Sequence, residues 1–162
     1  MANVRNNWLS GGLTFAGGGI KYERMFNSKF SLGIDVYFQA ITLILLEHGE
    51  YELGGAITAW FYPFGKILYL GVGLGLDYQP SVELKWNDAW DFFGFAITPE
   101  LGVKIDFGNP GDFFMDIGLK VPQIIGTGQT NIYDNFNNFV GTSTVKGYLL
   151  GFVPYIGFGW AF

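Results

Sequence analysis

The residues able to do chemistry in this chain are few, and most sit alone among small or apolar neighbours. Asp35, Gln39, Glu52, Asp77, Glu100, Lys104, Asp106, Asp116 and Lys120 form this set. Two segments carry an acid and a base at the same spacing, Glu100-x-x-x-Lys104 and Asp116-x-x-x-Lys120. On neighbouring strands such segments suit cross-strand ion pairs. Buried charges require partners, so this set is expected to satisfy itself as an interior polar network. The alternative is a charged lining that selects solutes in a thin pore. His48, the single histidine, stands beside Glu47 and Glu50 and could serve as a general base given the right hydrogen-bond geometry. Its simpler reading is a solvated loop residue, and no catalytic residue is assigned.

Other chemistries lack their residues. There is no Cys, hence no disulfide framework and no thiolate metal site. No phosphate-binding loop, dinucleotide fingerprint or zinc spacing occurs, so no cofactor or metal is expected. The net charge is −5 with no basic run, which argues against nucleic acid as a partner.

The elements that must position the polar set show alternation with period two. Phe30, Leu32, Ile34, Val36 and Phe38 oppose Ser31, Gly33, Asp35, Tyr37 and Gln39. Residues 67–79, 93–106, 113–121 and the last segment repeat the pattern. Residues 51–62 do so less cleanly, and residues 8–24 are read with a change of phase at Gly17-Gly18-Gly19. Short turns are expected at 26–29, 63–66 and 108–112, from their Gly, Pro, Asn and Asp content. Longer connections are expected at 47–50, 81–91 and 122–145.

Hydrophobic residues make up 49% of the chain and charged residues 14%, against about 25% charged in an average soluble domain. No apolar run reaches the roughly 18 residues of a membrane helix. A soluble calyx also alternates, but its polar face should be rich in Lys, Glu and Thr. Here the minor face is crowded with Gly, which exposes backbone and suits a narrow interior. The major face is almost wholly Leu, Ile, Val, Phe and Met, as a lipid-facing strand requires. Aromatics near strand ends, among them Trp8, Tyr62, Tyr78, Trp86, Trp90, Tyr148 and Trp160, fit interfacial girdles.

The expected fold is therefore all-β: an antiparallel up-and-down transmembrane β-barrel of about eight strands, spanning 1–162 as one domain. Seven strands are read from the alternation, whereas single-chain bacterial barrels normally have an even number. The eighth is expected in residues 1–7 and their neighbours or in 122–145, unless the chain is truncated or permuted. Residues 1–7 lack the apolar stretch of a signal peptide. An exported chain would then be a mature form with an added Met, or an engineered one.

The ending Tyr155-Ile156-Gly157-Phe158-Gly159-Trp160-Ala161-Phe162 resembles the terminal strand signal of outer-membrane proteins. Tyr155, Gly157, Trp160 and Phe162 occupy its positions, Tyr155 standing where a polar residue is usual. Segments such as 30–35 and 98–104 look like strands of the small eight-stranded barrels of the outer membrane protein A, X and W types. The resemblance implies a bacterial outer-membrane location, outer-membrane lipids as surroundings and recognition of the last strand by the barrel-assembly machinery. It implies a non-enzymatic structural or surface-interaction role. The loop 126–144, rich in Asn, Thr, Gly and aromatics, could present a recognition surface to an extracellular ligand, or be simply a mobile solvent-exposed loop. A second reading is a narrow, porin-like channel or conduit for small or apolar solutes, as the protein W type allows. A third is a rim enzyme acting on lipid, since a His beside a carboxylate is similar to the lipid A acyl-modifying enzymes. Those also use a Ser, which Ser81 or Ser143 would have to supply.

Overall fold

A computed structural model describes residues 6–14, 17–39, 52–65, 67–84, 87–107, 113–134, 136 and 138–162, without the side chains of 39 and 81–90. Within these, ten strands run in chain order: β1 Asn7–Thr14, β2 Gly17–Met25, β3 Phe30–Gln39, β4 Glu52–Phe61, β5 Leu68–Leu84, β6 Asn87–Phe107, β7 Phe113–Lys120, β8 Gln123–Tyr133, β9 Phe139–Leu150 and β10 Val153–Ala161. Every pairing is antiparallel. Neighbours follow β5-β4-β3-β2-β1-β10-β7-β6, and β6 returns to β5, which closes an eight-stranded barrel.

The strand that alternation could not place is β1. Residues 8–24 are two strands rather than one with a phase change: β1 pairs with β2 from Asn7↔Arg24 to Thr14↔Gly17, and with β10 from Trp8↔Ala161 to Thr14↔Tyr155. Gly11, Gly12, Gly18 and Gly19 weaken the apolar signal on both sides of this hairpin, so its period cannot be counted from side chains. The segment 122–145 is also not a loop. β8 continues the course of β7 along β6, and β9 runs back beside it into β10. The two continuations are interrupted at facing positions by Pro122, which has no N–H to give, and by Gly151, whose N–H donates to the Pro122 carbonyl at 2.9 Å. A Cβ at Gly151 would stand 2.9 Å from the proline ring. Likewise 81–91 belongs mostly to β5 and β6, which stay paired to Leu84↔Asn87.

The wall therefore has unequal height. β1 to β4 are 8–10 residues long, while β5 and β6 have 17 and 21. Above the closed barrel, β5, β6, β8 and β9 stand as a four-stranded wall. The start of β1 and the end of β10 lie at the opposite end, with Asn7 and Phe162 exchanging backbone hydrogen bonds of 3.2 and 2.8 Å. The turns there were legible. The Asn27 side chain accepts from the Lys29 and Phe30 amides at 2.8 and 3.0 Å, and Gly65 takes φ +80° in the turn after Tyr62. The expected turn at 108–112 and the connection 47–50 lie outside the described residues.

Side chains sort by face as alternation demands. Phe30, Leu32, Ile34, Val36 and Phe38 on β3, and Leu70, Val72, Leu74 and Leu76 on β5, are exposed outward. Ser31, Asp35, Tyr37, Thr58, Trp60, Tyr69 and Asp77 point inward and are buried. Between Arg24 near the turn end and Asp91 and Lys146 toward the tall end, the described outward side chains carry no charge.

Candidate functional site

Among the described residues, three lysines, six carboxylates and the aromatic rings that reach them fill the bore. At the turn end Trp8, Met25, Tyr62, Phe114 and Ala161 pack with Trp60 and Tyr69 into an apolar floor. Trp8 stands edge-on to Tyr62 at 5.9 Å between ring centres. This corrects the expectation that Trp8 and Tyr62 form part of an interfacial girdle: Tyr62 is completely buried and Trp8 nearly so. Position near a strand end does not fix which face a ring takes, and the inward phase governs both.

Directly above the floor, Glu23 on β2 accepts from the Ser31 and Tyr62 hydroxyls, both at 2.5 Å, and pairs with Lys104 on β6. The Lys104 ammonium also lies 3.8 Å from the Trp8 ring centre, an attraction to the ring face that adds to the ion pair. The next layer centres on Lys21 of β2. Its ammonium crosses the bore to Glu100 on β6 at 2.9 Å and Asp116 on β7 at 3.2 Å. Lys120 on β7 pairs with Asp35 on β3.

The expected ion pairs between Glu100-x-x-x-Lys104 and Asp116-x-x-x-Lys120 are thus replaced by pairs across the bore. The strands do align Glu100 with Lys120 and Lys104 with Asp116. Lys21, Glu23 and Asp35 on β2 and β3 nevertheless take the charges, because a narrow barrel brings opposite walls within side-chain reach. Of the predicted interior set, Asp35, Asp77, Glu100, Lys104 and Asp116 are buried and Lys120 is half-buried. Asp106 has the inward phase but is exposed, lying beyond the floor at the rim. The Gln39 side chain lies outside the description. Lys21 and Glu23 were missed, although their spacing of two between Ile20, Tyr22 and Arg24 carried the signal once β2 is read alone.

The inward glycines make room for rings lying across the next strand. Trp60 on β4 pairs with Gly71 on β5, where a Cβ would stand 2.7 Å from the indole. The Trp60 N–H then donates to Glu100 on β6 at 2.8 Å. Tyr37 crosses Gly54 to donate to Asp77 at 2.7 Å. Tyr69 crosses Gly102 to Asp116 at 2.6 Å, and Tyr155 crosses Gly118 to Glu100. Gly102 and Gly118 are themselves register partners, so Tyr69 and Tyr155 meet hydroxyl to hydroxyl over them. Rings covering glycines are a recognised way of pinning strand register. Here each ring also carries a donor to a buried carboxylate.

Above Lys21 a cavity of about 40 Å³ lies among Ser10, Thr14, Asp35, Tyr37, Lys120 and Tyr155. By volume it could hold about two or three waters. Gly157 lines it, while Trp160 and Phe162 face outward. Of the other expected girdle residues, Tyr148 is exposed, and half-buried Tyr78 donates to Asp91 at 2.8 Å. The side chains of Trp86 and Trp90 are not described. His48, Glu47 and Glu50 also lie outside the described residues, as does the Ser81 side chain, while Ser143 is exposed on β9.

The expected recognition loop 126–144 is a β-hairpin with its tip at 134–138. Asp134 caps it, accepting from the Phe136 and Asn138 amides at 2.8 Å each and from the Asn138 side chain at 3.1 Å. The Asn138 backbone bond foremost, and then its side chain, hold the Asp134 carboxyl below its ordinary range. Among the described residues no group of three or more His, Cys, Asp or Glu side chains is placed to hold a metal ion. Comparison with protein-family models, with curated proteins and with solved structures found no match.

Proposed function

We propose that this chain is an integral barrel of a bacterial-type outer membrane, akin to the small protein A, X and W types, with an interior closed by its own side chains. The observation that carries the reading is the inversion of faces. Charges lie inside and large apolar side chains outside, the reverse of a soluble calyx. An outward band without charge, ending at Arg24 on one side and at Asp91 and Lys146 on the other, suits a hydrocarbon layer between two polar zones. The closed interior is supported by Lys21, whose ammonium reaches from β2 to carboxylates on the far wall. The working part is then the wall of β5, β6, β8 and β9, in a structural or surface-interaction role, and the last strand is the segment offered to the assembly machinery.

Two measurements test this. The chain is expected to fold only with detergent or lipid; a folded, monodisperse protein in plain buffer defeats the membrane assignment. In planar bilayers the folded chain is expected to show no unitary openings. Reproducible openings would instead favour the narrow-channel reading and remove the sealed interior.

A further inference from the structure

The charges of the bore do not balance. Lys21 takes Glu100 and Asp116, Lys104 takes Glu23 and Lys120 takes Asp35. Glu52 on β4 and Asp77 on β5 are left, and no ion pair to either is found among the described residues. Both are buried, at 5% and 1% exposure. They are neighbours, and Glu52 lies against the Tyr37 hydroxyl as well. Asp77 accepts from Tyr37 at 2.7 Å and from Gln79 at 3.3 Å. One oxygen of Glu52, Oε1, is fully buried and has no hydrogen-bond partner among the described residues. A buried carboxylate oxygen without a partner costs heavily, more so with a second carboxylate beside it. Lys120, whose ammonium lies 5.7 Å from the centre of the Tyr37 ring, is held by Asp35.

We propose that Glu52 and Asp77 form a binding site for a hard divalent cation such as Ca²⁺, at the end of the bore nearer the tall wall. The donors are all oxygens, which suits a calcium-type ion rather than a transition metal. Glu52 Oε1 supplies the open position and Asp77 a second carboxylate, with the Gln79 side-chain amide donating to the Asp77 oxygen on the same strand. Water completes the shell, as is usual for such ions at sites with few protein ligands. Tyr37, held on Asp77 by its position over Gly54, fixes the Asp77 carboxylate in place. The site depends on the interior geometry alone and stands whether or not the outer face meets lipid.

Terbium is the probe, because a bound Tb³⁺ takes up excitation energy from a nearby tyrosine and Ca²⁺ competes for its site. The folded chain in detergent is expected to show saturable Tb³⁺ emission at one ion per chain, displaced by Ca²⁺. Glu52→Gln and Asp77→Asn are each expected to weaken binding by roughly tenfold or more, since affinity in such sites follows the ligand charge count. Glu52→Asp keeps the charge and should retain binding at lower affinity, which separates lost ligation from lost folding. Asp134→Asn, at the hairpin tip, should leave it unchanged. Emission that is absent, that does not saturate at one ion, or that survives Glu52→Gln overturns the proposal. A pair that shares a proton in place of a metal would give the first of these results.

Discussion

Along β6 the inward side chains Thr98, Glu100 and Lys104 are polar or charged, whereas higher on the same face Ala96 and Phe92 are apolar. Outward, the same strand shows Phe93, Phe95, Ile97, Leu101 and Ile105 and then, at its upper part, Asp91. β8 and β9 extend the contrast. Ile124, Val145 and Leu149 pack on Phe92 and Ala96, while Thr127, Gln129, Asn131, Thr144 and Lys146 are exposed on the other side. The closed barrel is thus charged within, above its apolar floor, and apolar without, whereas on β8 and β9 the outward face turns polar beyond Ile125 and Tyr148 and the inward face carries the apolar cluster. A strand has one period-two pattern, so its two faces can exchange character only where the surroundings change. On the membrane reading that change is the edge of the hydrocarbon layer. The barrel holds its register with rings laid over glycines and with charges that meet across the bore. The upper wall relies on a small apolar cluster and on strand pairing.

Charge removal inside the barrel should break this contrast most strongly. Lys21→Met leaves Glu100 and Asp116 buried without their shared cation, a loss of about 3–5 kcal/mol. Unfolding in urea from detergent or lipid, followed by tryptophan fluorescence, measures it. Adding Glu100→Gln and Asp116→Asn to Lys21→Met should recover most of that loss, because the two carboxylates that Lys21 held are then uncharged. A triple variant as unstable as the single one would mean that Lys21 acts through packing on Trp60 and Tyr69, whose ring centres lie 4.7 and 4.8 Å from its ammonium.

The outer faces provide the next comparison. Ile57 is 60% exposed on the outward face of β4. If that face meets lipid, Ile57→Arg costs about 2–4 kcal/mol near the middle of the layer. Thr127→Arg, outward on the upper wall, should cost almost nothing. Equal and small effects at both sites would argue against a lipid boundary between them. Inside the wall, Ile124→Ala should cost about 2 kcal/mol, the low end for a buried Ile, since a single sheet face covers it. Hydrogen exchange should localise that loss to β8 and β9 and leave β1 to β4 protected. Loss of protection throughout would show that wall and barrel unfold as one unit.

How much was legible follows the same division. In β3, β5, β7 and β10 alternation gave both strand and face, because large apolar residues recur without interruption. It failed in β1 and β2, where glycines replace the side chains that would be counted. It failed also in β8 and β9, where Thr, Asn, Gln and Gly on an exposed face have the composition of a loop. Inward charge was readable at Asp35, Asp77, Glu100, Lys104 and Asp116, but the partner of each was not. Pairing across the bore depends on strand number and tilt, which no local spacing records. The crowding of glycine on the inward face was visible. Its cause, rings crossing to carboxylates two strands away, required the register.

The smallest effect expected is at the tip of the β8–β9 hairpin, and it concerns order rather than overall stability. Asp134 as carboxylate accepts from two backbone amides and one side-chain amide. Those bonds favour the charged form and lower its affinity for a proton in the folded hairpin. The sign follows from linkage: the contribution is fully present above the ordinary carboxylate range and is lost as pH falls through the depressed folded value. Exchange of the Phe136 and Asn138 amides should therefore be slow at neutral pH, relative to their intrinsic rates, and lose its protection only in strong acid. Asp134→Ala should remove that protection at every pH while leaving the Ile124 cluster and the bore unchanged. Protection that is insensitive to both pH and the Asp134→Ala change would place the order of the tip in the Tyr133–Phe139 ring contact, 6.2 Å between centres, rather than in the carboxylate.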